Sequence, residues 1–260
     1  MSDEPVVKRD PFRPDDLPDL LREALVRKQV FDPADAPHPL DSNVSELEAL
    51  ELYSAVRQIR PERSLEVGLA HGISALAILA GLAANGSGHH FVIDPFQPNY
   101  GSCGEAMIER AGFSSLHTFF ERFPEEVVPQ LPRIQFAFID SSHLFDFTLM
   151  EFVLIDKKLD PGGVLAFHDL WMPSIQTVIR FVLTNRAYKI CHALLENRPK
   201  PSVRQRCKEF VGQSLSKIPG ARRVLRPEVL VPWSTFRAQN LILLQKISDD
   251  QRDWRFHREF

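Results

Sequence analysis

The sequence predicts an α/β fold: a doubly wound, mostly parallel sheet of seven strands with helices on both faces. Three observations predict it. Short apolar runs at 64–67, 91–93, 134–139 and 164–167 alternate with segments of helical periodicity, the pattern of strands covered on both sides. The first run passes through a turn holding Gly68 and Gly72 directly into a helix-forming stretch. And the runs end in residues that can do chemistry: Glu66 and Gly68, Asp94, Asp140 with His143, and His168 with Asp169. Right-handed crossovers bring the carboxyl ends of such strands to one crevice, where ligands bind.

Taken in order, residues 1–18 are rich in Asp and Pro and read as irregular. Residues 19–30 have helical spacing, with Leu20, Leu21, Ala24 and Leu25 on one face. Residues 31–42 hold three prolines and form a linker. A second helix starts at Ser45, with Glu48 three residues on completing a capping box, and Pro61 ends it. The first strand is 64–67 and its helix continues through Leu79. Residues 91–93 form the second strand, 101–111 a helix, and 116–120 the third strand. A short helix lies around 125–131, and 134–139 is the fourth strand. A helix over 147–159 is closed by Asp160-Pro161-Gly162-Gly163, and 164–167 is the fifth strand. Residues 174–184 are helical. Residues 187–193 and 241–247 supply the last two strands, separated by a basic insertion.

The chain has 260 residues, 44% hydrophobic and 25% charged, with a net charge of -3. That balance carries no bias toward nucleic acid or a membrane surface. No apolar run reaches the roughly 20 residues that span a bilayer, and the acidic N-terminus lacks the apolar core of a signal peptide. Cys103, Cys191 and Cys207 match neither a disulfide framework nor zinc-ligand spacing. These features point to a reducing, cytoplasmic compartment.

The ligand of the glycine turn is narrowed by counting. A dinucleotide fingerprint needs Gly-x-Gly-x-x-Gly, and here Ala70 and Ile73 stand at the second and third glycine positions. No Walker A lysine pattern occurs. What stands there, Glu66-x-Gly68-x-x-x-Gly72-x-Ser74, resembles motif I of class I S-adenosylmethionine (SAM)-dependent methyltransferases, whose sheet is Rossmann-like. The resemblance runs through about 64–184, with Asp94 after the second strand, Phe138-Ile139-Asp140 in the fourth and Pro161-Gly162-Gly163 before the fifth. It implies SAM as cofactor and Glu66, Gly68, Gly72, Ser74, Asp94, Glu121 and Asp140 as its binding residues. In that family the acid after the second strand takes the ribose hydroxyls, which a carboxylate such as Asp94 can accept in pairs. Read alone, Asp94-Pro95 only ends a strand. Glu121 either accepts from the adenine amino group or is a solvated loop charge. His71 shapes the cofactor pocket.

Downstream, Asp140-Ser141-Ser142-His143 and Gly162-Gly163-Val164-Leu165-Ala166-Phe167-His168-Asp169 resemble a narrower group. These are small-molecule O-methyltransferases related to cephalosporin-hydroxylase-like and macrolide-sugar methyltransferases (Methyltransferase 24-like). Ser141 replaces that group's glycine and Phe145 its tyrosine. The resemblance implies methyl transfer to a hydroxyl of a small molecule, a sugar or natural-product precursor. It also implies a divalent cation, Mg²⁺, on Asp140, His168 and Asp169, with His143 and Asp140 in catalysis and His143 as the base. The chemistry is coherent: a dication held by carboxylates acidifies and orients the hydroxyl, and an imidazole takes its proton near neutral pH. His168 is a poorer Mg²⁺ ligand than an oxygen donor, which bears on the metal's identity. The competing structural readings are that Asp140 and Asp169 cap the helices that follow, that His143 merely starts a helix, and that His168 is bonded to backbone.

Residues 1–60 read as an N-terminal extension, 61–248 as the methyltransferase domain and 249–260 as a charged tail. Within the domain, 196–232 is an insertion. Its residues 196–226 carry nine Lys or Arg against two Glu, which reads as a solvated insertion, a lid or an oligomer contact. A nucleic-acid contact is not expected, because regular aromatic interleaving is missing. Rival functions are a non-catalytic protein that keeps the SAM-binding fold, an RNA methyltransferase, and a nicotinamide-dependent oxidoreductase.

Overall fold

A computed structural model describes residues 12–191, 207, 211, 240–258 and 260. All but two residues of the basic stretch 196–226 lie outside these described residues.

The sheet forms as the alternation predicts. Seven strands take part: β3 (Arg63–Val67), β4 (His89–Ile93), β5 (His117–Phe120), β6 (Ile134–Ile139), β7 (Leu159–Phe167), β8 (Tyr188–Ile190) and β9 (Ile242–Lys246). Their order is β5-β4-β3-β6-β7-β9-β8, and only β9 runs antiparallel to its neighbours. The chain order reverses at β3, so the crevice between the ends of β3 and β6 is the switch point where such sheets bind ligands.

The two faces are built from alternate residues of the same strands. Leu65 and Val67 of β3, Leu165 and Phe167 of β7, and Leu244 of β9 face one apolar layer, covered by α5 (Pro124–Val127), α6 (Phe145–Asp156) and α7 (Pro173–Asn185). Phe136 and Phe138 of β6, with Val164 and Ala166, face the other. There α3 (Ile73–Asn85) is sandwiched between the sheet and α2 (Glu46–Ile59). This explains why α3 is apolar on every side.

Three sequence expectations shift. The first helix, α1 (Asp19–Arg27), stops before Val30 because Lys28 takes a left-handed conformation, φ 53°, that ends it. Val30 instead lies in β1 (Gln29–Phe31), and the expected linker contains β2 (Pro37–Pro39), paired antiparallel with it. Residues 160–163 do not close the preceding helix, which ends at Asp156. They sit inside β7, where the register against β6 slips between Ile134 and Phe136. The capping box at Ser45 and Glu48 forms as read.

At the end of β9, the Lys246 side chain is buried. Its ammonium donates to the backbone oxygens of Asp156 (2.5 Å) and Leu159 (3.0 Å) and pairs with Asp249 at 2.8 Å. The tail is tied to α7: the Arg252 guanidinium stacks 5.8 Å from the Phe181 ring, and the Phe260 ring lies 5.2 Å from it.

Glu66 of β3 points into the α3 face, fully buried. It accepts from the Ser74 hydroxyl, and His90 Nε2 lies 3.1 Å from its other oxygen. His90 Nδ1 is 2.9 Å from Ser64 Oγ. Burial raises the Glu66 carboxyl well above its ordinary range and lowers His90 to about 3. Both shifts favour the neutral forms, in which the Glu66 acid donates to His90 Nε2 and His90 Nδ1–H donates to Ser64. Below about pH 6.5 the unfolded chain protonates His90 while the fold does not, so stability falls with acid. Above about pH 4.3 the unfolded chain ionises Glu66 while the fold keeps its proton, so stability falls as pH rises toward the folded value. Glu66→Gln removes only the second effect. Urea unfolding is expected to show the variant gaining on the parent between pH 5 and pH 8. A loss of several kcal/mol at pH 8 would instead mean an ionised pair.

Candidate active site

The strand ends converge on a cavity of about 620 Å³, inside the usual range for a small-ligand site. Its floor is the loop between β3 and α3. Gly68 has φ 95°, and a Cβ on it would stand 2.0 Å from the Asp140 carbonyl oxygen. Only glycine permits that approach of the β3 loop to the β6 loop. Gly72 starts α3 at φ 81°, where a Cβ would press on Gly104 of α4 (Cys103–Arg110).

Of the residues read from the sequence, the cavity gathers Gly68, Gly72, Ser74, His71, Asp140, His143, His168 and Asp169. Three others lie elsewhere. Glu66 is beneath the loop, in the neutral network just described, and Ser74, though it lines the cavity, donates its hydroxyl inward to Glu66. Asp94 is 4% exposed. One of its oxygens accepts from Leu69 N (3.0 Å), Ala70 N (3.0 Å) and Gln97 Nε2 (2.9 Å), the other from Phe96 N (2.8 Å). Three donors on one oxygen and one on the other make Asp94 a brace of the glycine loop, and the second oxygen keeps acceptor capacity. Glu121 is an exposed loop residue outside the cavity. Near it, Phe96 and Phe123 meet edge to face at 5.9 Å, both partly exposed.

The chemical end of the cavity is a cluster of carboxylates and imidazoles. Asp140 follows β6 and Asp169 follows β7, neighbouring strands whose register pairs Ile139 with Phe167. His143 Nε2 lies between them, 3.1 Å from Asp140 Oδ1 and 2.8 Å from Asp169 Oδ2. His143 and Asp169 are both held at positive φ, 59° and 54°, conformations costly for residues with a Cβ. The Ser174 hydroxyl of α7 donates to the His143 carbonyl at 2.7 Å and anchors its loop. His168 stands behind: Nδ1 is 3.3 Å from Asp140 Oδ1, and Nε2 is 3.5 Å from Glu48 Oε2.

Charge follows from this geometry. Hydrogen bonds to Asp140 and Asp169 push His143 up to about 9. Burial opposes a charge on His168, but Asp140 and Glu48 outweigh it and hold that imidazole at about 10. Burial likewise opposes ionisation of Asp140 and Asp169, yet their imidazole partners hold both below the usual carboxylate range. Burial raises Glu151, which accepts from Ser141 Oγ at 2.6 Å, to about 7.

Sequence reasoning missed Glu48 and Asn240 as parts of the site. Glu48 was legible only as a helix cap; its second partner lies 120 residues away. Asn240 Nδ2 donates to Asp169 Oδ1 at 2.7 Å, and no motif marks it. Glu48→Ala is expected to lower the unfolding free energy by about 1–2 kcal/mol through the lost cap. It should also lower the His168 pKa, because a facing carboxylate is removed. Urea unfolding and an NMR titration of the imidazole check the two effects separately.

Residues 65–170 match the family described as a methyltransferase domain. That stretch of the chain is similar to this family. Catechol O-methyltransferase B of Danio rerio is 26% identical over 159 residues, 58% of this chain and 58% of that protein. The chain thus spans just over half the length of this curated relative. Among solved structures, a methyltransferase of Podospora anserina bound to S-adenosylhomocysteine (SAH) has a TM-score of 0.54 and 16% identity. The match covers 67% of this chain and 82% of that one. An O-methyltransferase of Bacillus cereus in complex with SAH has a TM-score of 0.54 and 18% identity, over 71% and 84%. These likenesses extend the fold beyond the matched domain. The glycine loop, Asp140 and Asp169 all lie inside it. Among the described residues, no helix is long and apolar enough to cross a membrane.

Proposed function

We propose that the protein transfers a methyl group from SAM to a hydroxyl of a small molecule. The observation that carries this reading is one cavity joining the glycine loop of a methyltransferase domain to Asp140, His143 and Asp169. The floor at Gly68 and Gly72 admits the methionine end of the cofactor, and the α3 N-terminus offers it unpaired N–H groups. Phe96 and Phe123 are apolar surface for the adenine. In methyl transfer the sulfur–carbon bond breaks as the oxygen–carbon bond forms in line, the sulfonium leaves as the neutral thioether SAH, and the acceptor hydroxyl's proton passes to solvent water.

The donor set fits a dication: the ligand atoms of Asp140, His143 and Asp169 all lie within 4.8 Å of one another. A cation held there would supply the charge that acidifies and orients the hydroxyl. His143 Nε2 is engaged by both carboxylates, which favours a holding role over the base role expected from the sequence. Asp140 aligns the group from the β6 side and Asp169 from the β7 side, and His168 fixes the Asp140 carboxylate.

Calorimetric titration with SAM, followed by SAH detection across a panel of vicinal diols and catechols, tests the reading. Saturable SAM binding and SAH formation with at least one acceptor are expected. Absence of SAM binding by the folded protein would refute it.

A further inference from the structure

We infer that the cation this site takes is a borderline transition-metal dication of the Mn²⁺, Co²⁺ or Zn²⁺ kind in preference to Mg²⁺, with the His143 imidazole as a direct ligand. The inference rests on the cation reading just proposed. It departs from the sequence expectation in both the metal and the histidine.

Three observations carry it. First, spacing: His143 Nε2 lies 3.1 Å from Asp140 Oδ1 and 2.8 Å from Asp169 Oδ2. Donor atoms about 2.1 Å from one octahedral centre stand about 3 Å apart along an edge, so the group fits around a single ion. Second, donor chemistry: two carboxylate oxygens and one imidazole nitrogen neutralise a dication, but the nitrogen is wasted on Mg²⁺, which takes oxygen and keeps its waters. Manganese, cobalt and zinc accept imidazole readily. Third, division of labour between the histidines. His168 has both nitrogens occupied, Nδ1 by Asp140 at 3.3 Å and Nε2 by Glu48 at 3.5 Å. It is placed to steady Asp140 from outside, the usual place of a group that orients a ligand. His143 lines the cavity between the carboxylates, its loop pinned by Ser174.

The test uses the whole chain, stripped of metal, without cofactor or acceptor. Mn²⁺, Zn²⁺ and Mg²⁺ are titrated calorimetrically, and bound Mn²⁺ is examined by pulsed electron paramagnetic resonance. Mn²⁺ and Zn²⁺ are expected to bind at least about tenfold more tightly than Mg²⁺. The bound manganese should show nitrogen coupling from a coordinated imidazole. That coupling should vanish in His143→Asp and persist in His168→Gln, and His143→Asp should narrow the preference over Mg²⁺ by about tenfold. Circular dichroism melting confirms that both variants fold. Coupling that survives His143→Asp, or a preference it leaves unchanged, overturns the inference while the cation reading stands. If no dication binds a protein that still binds SAM, the cation reading fails and the inference with it.

Discussion

Gly68→Ala is expected to destabilise the protein by roughly 2–6 kcal/mol and to abolish SAM binding. Two costs add. At φ 95° a residue with a Cβ is strained. The Cβ would also stand 2.0 Å from the Asp140 oxygen, 2.7 Å from its carbonyl carbon and 3.2 Å from Ser141 Cα, all backbone. Neither loop can retreat cheaply. Gly68 N donates to Ile93 O and Asp140 N to Val67 O, each at 2.9 Å, so the strand ends are stitched together at this point. Gly112→Ala separates the two costs: its φ is 76°, with nothing within 4 Å of the added carbon. That variant should lose only about 1 kcal/mol. Urea unfolding of both, with SAM titration of whichever folds, gives the comparison. Equal losses would show that crowding at Gly68 is not what matters.

Asp140→Asn is expected to reduce methyl transfer more than about a hundredfold. Removing a group that merely orients a ligand already costs about 10–100-fold, and Asp140 touches three things at once. Its Oδ1 faces His143 at 3.1 Å and His168 at 3.3 Å, and it is one of three donors in the candidate cation group. An amide keeps the shape and drops the charge, so both imidazoles should release their protons at lower pH than in the parent. The turnover rate at saturating SAM and the histidine NMR titration report the two consequences. Turnover within tenfold of the parent would mean that Asp140 does not hold the reacting group.

The sheet and the crevice were legible because apolar alternation and chain order fix a doubly wound topology. The glycine loop was legible because Gly68 and Gly72 answer a local need for backbone room. Asp94 and Glu66 have the types and spacing of ligand-binding acids, and what spacing did not show is that four donors hold Asp94 and that Glu66 is fully buried. Spacing shows where a side chain starts, not which donors reach it first. As parts of the site Glu48 and Asn240 were invisible because their partners, His168 and Asp169, lie 120 and 71 residues away along the chain.

Ser42, Asn43 and Val44 from the N-terminal segment, and Asn240 from the far end, form walls of the cavity. All four lie outside the stretch 65–170 that matches the family. The cavity wall is therefore completed by residues from both flanks of that stretch. Selection on what the cavity admits can act on its two flanks while the machinery between them is left alone.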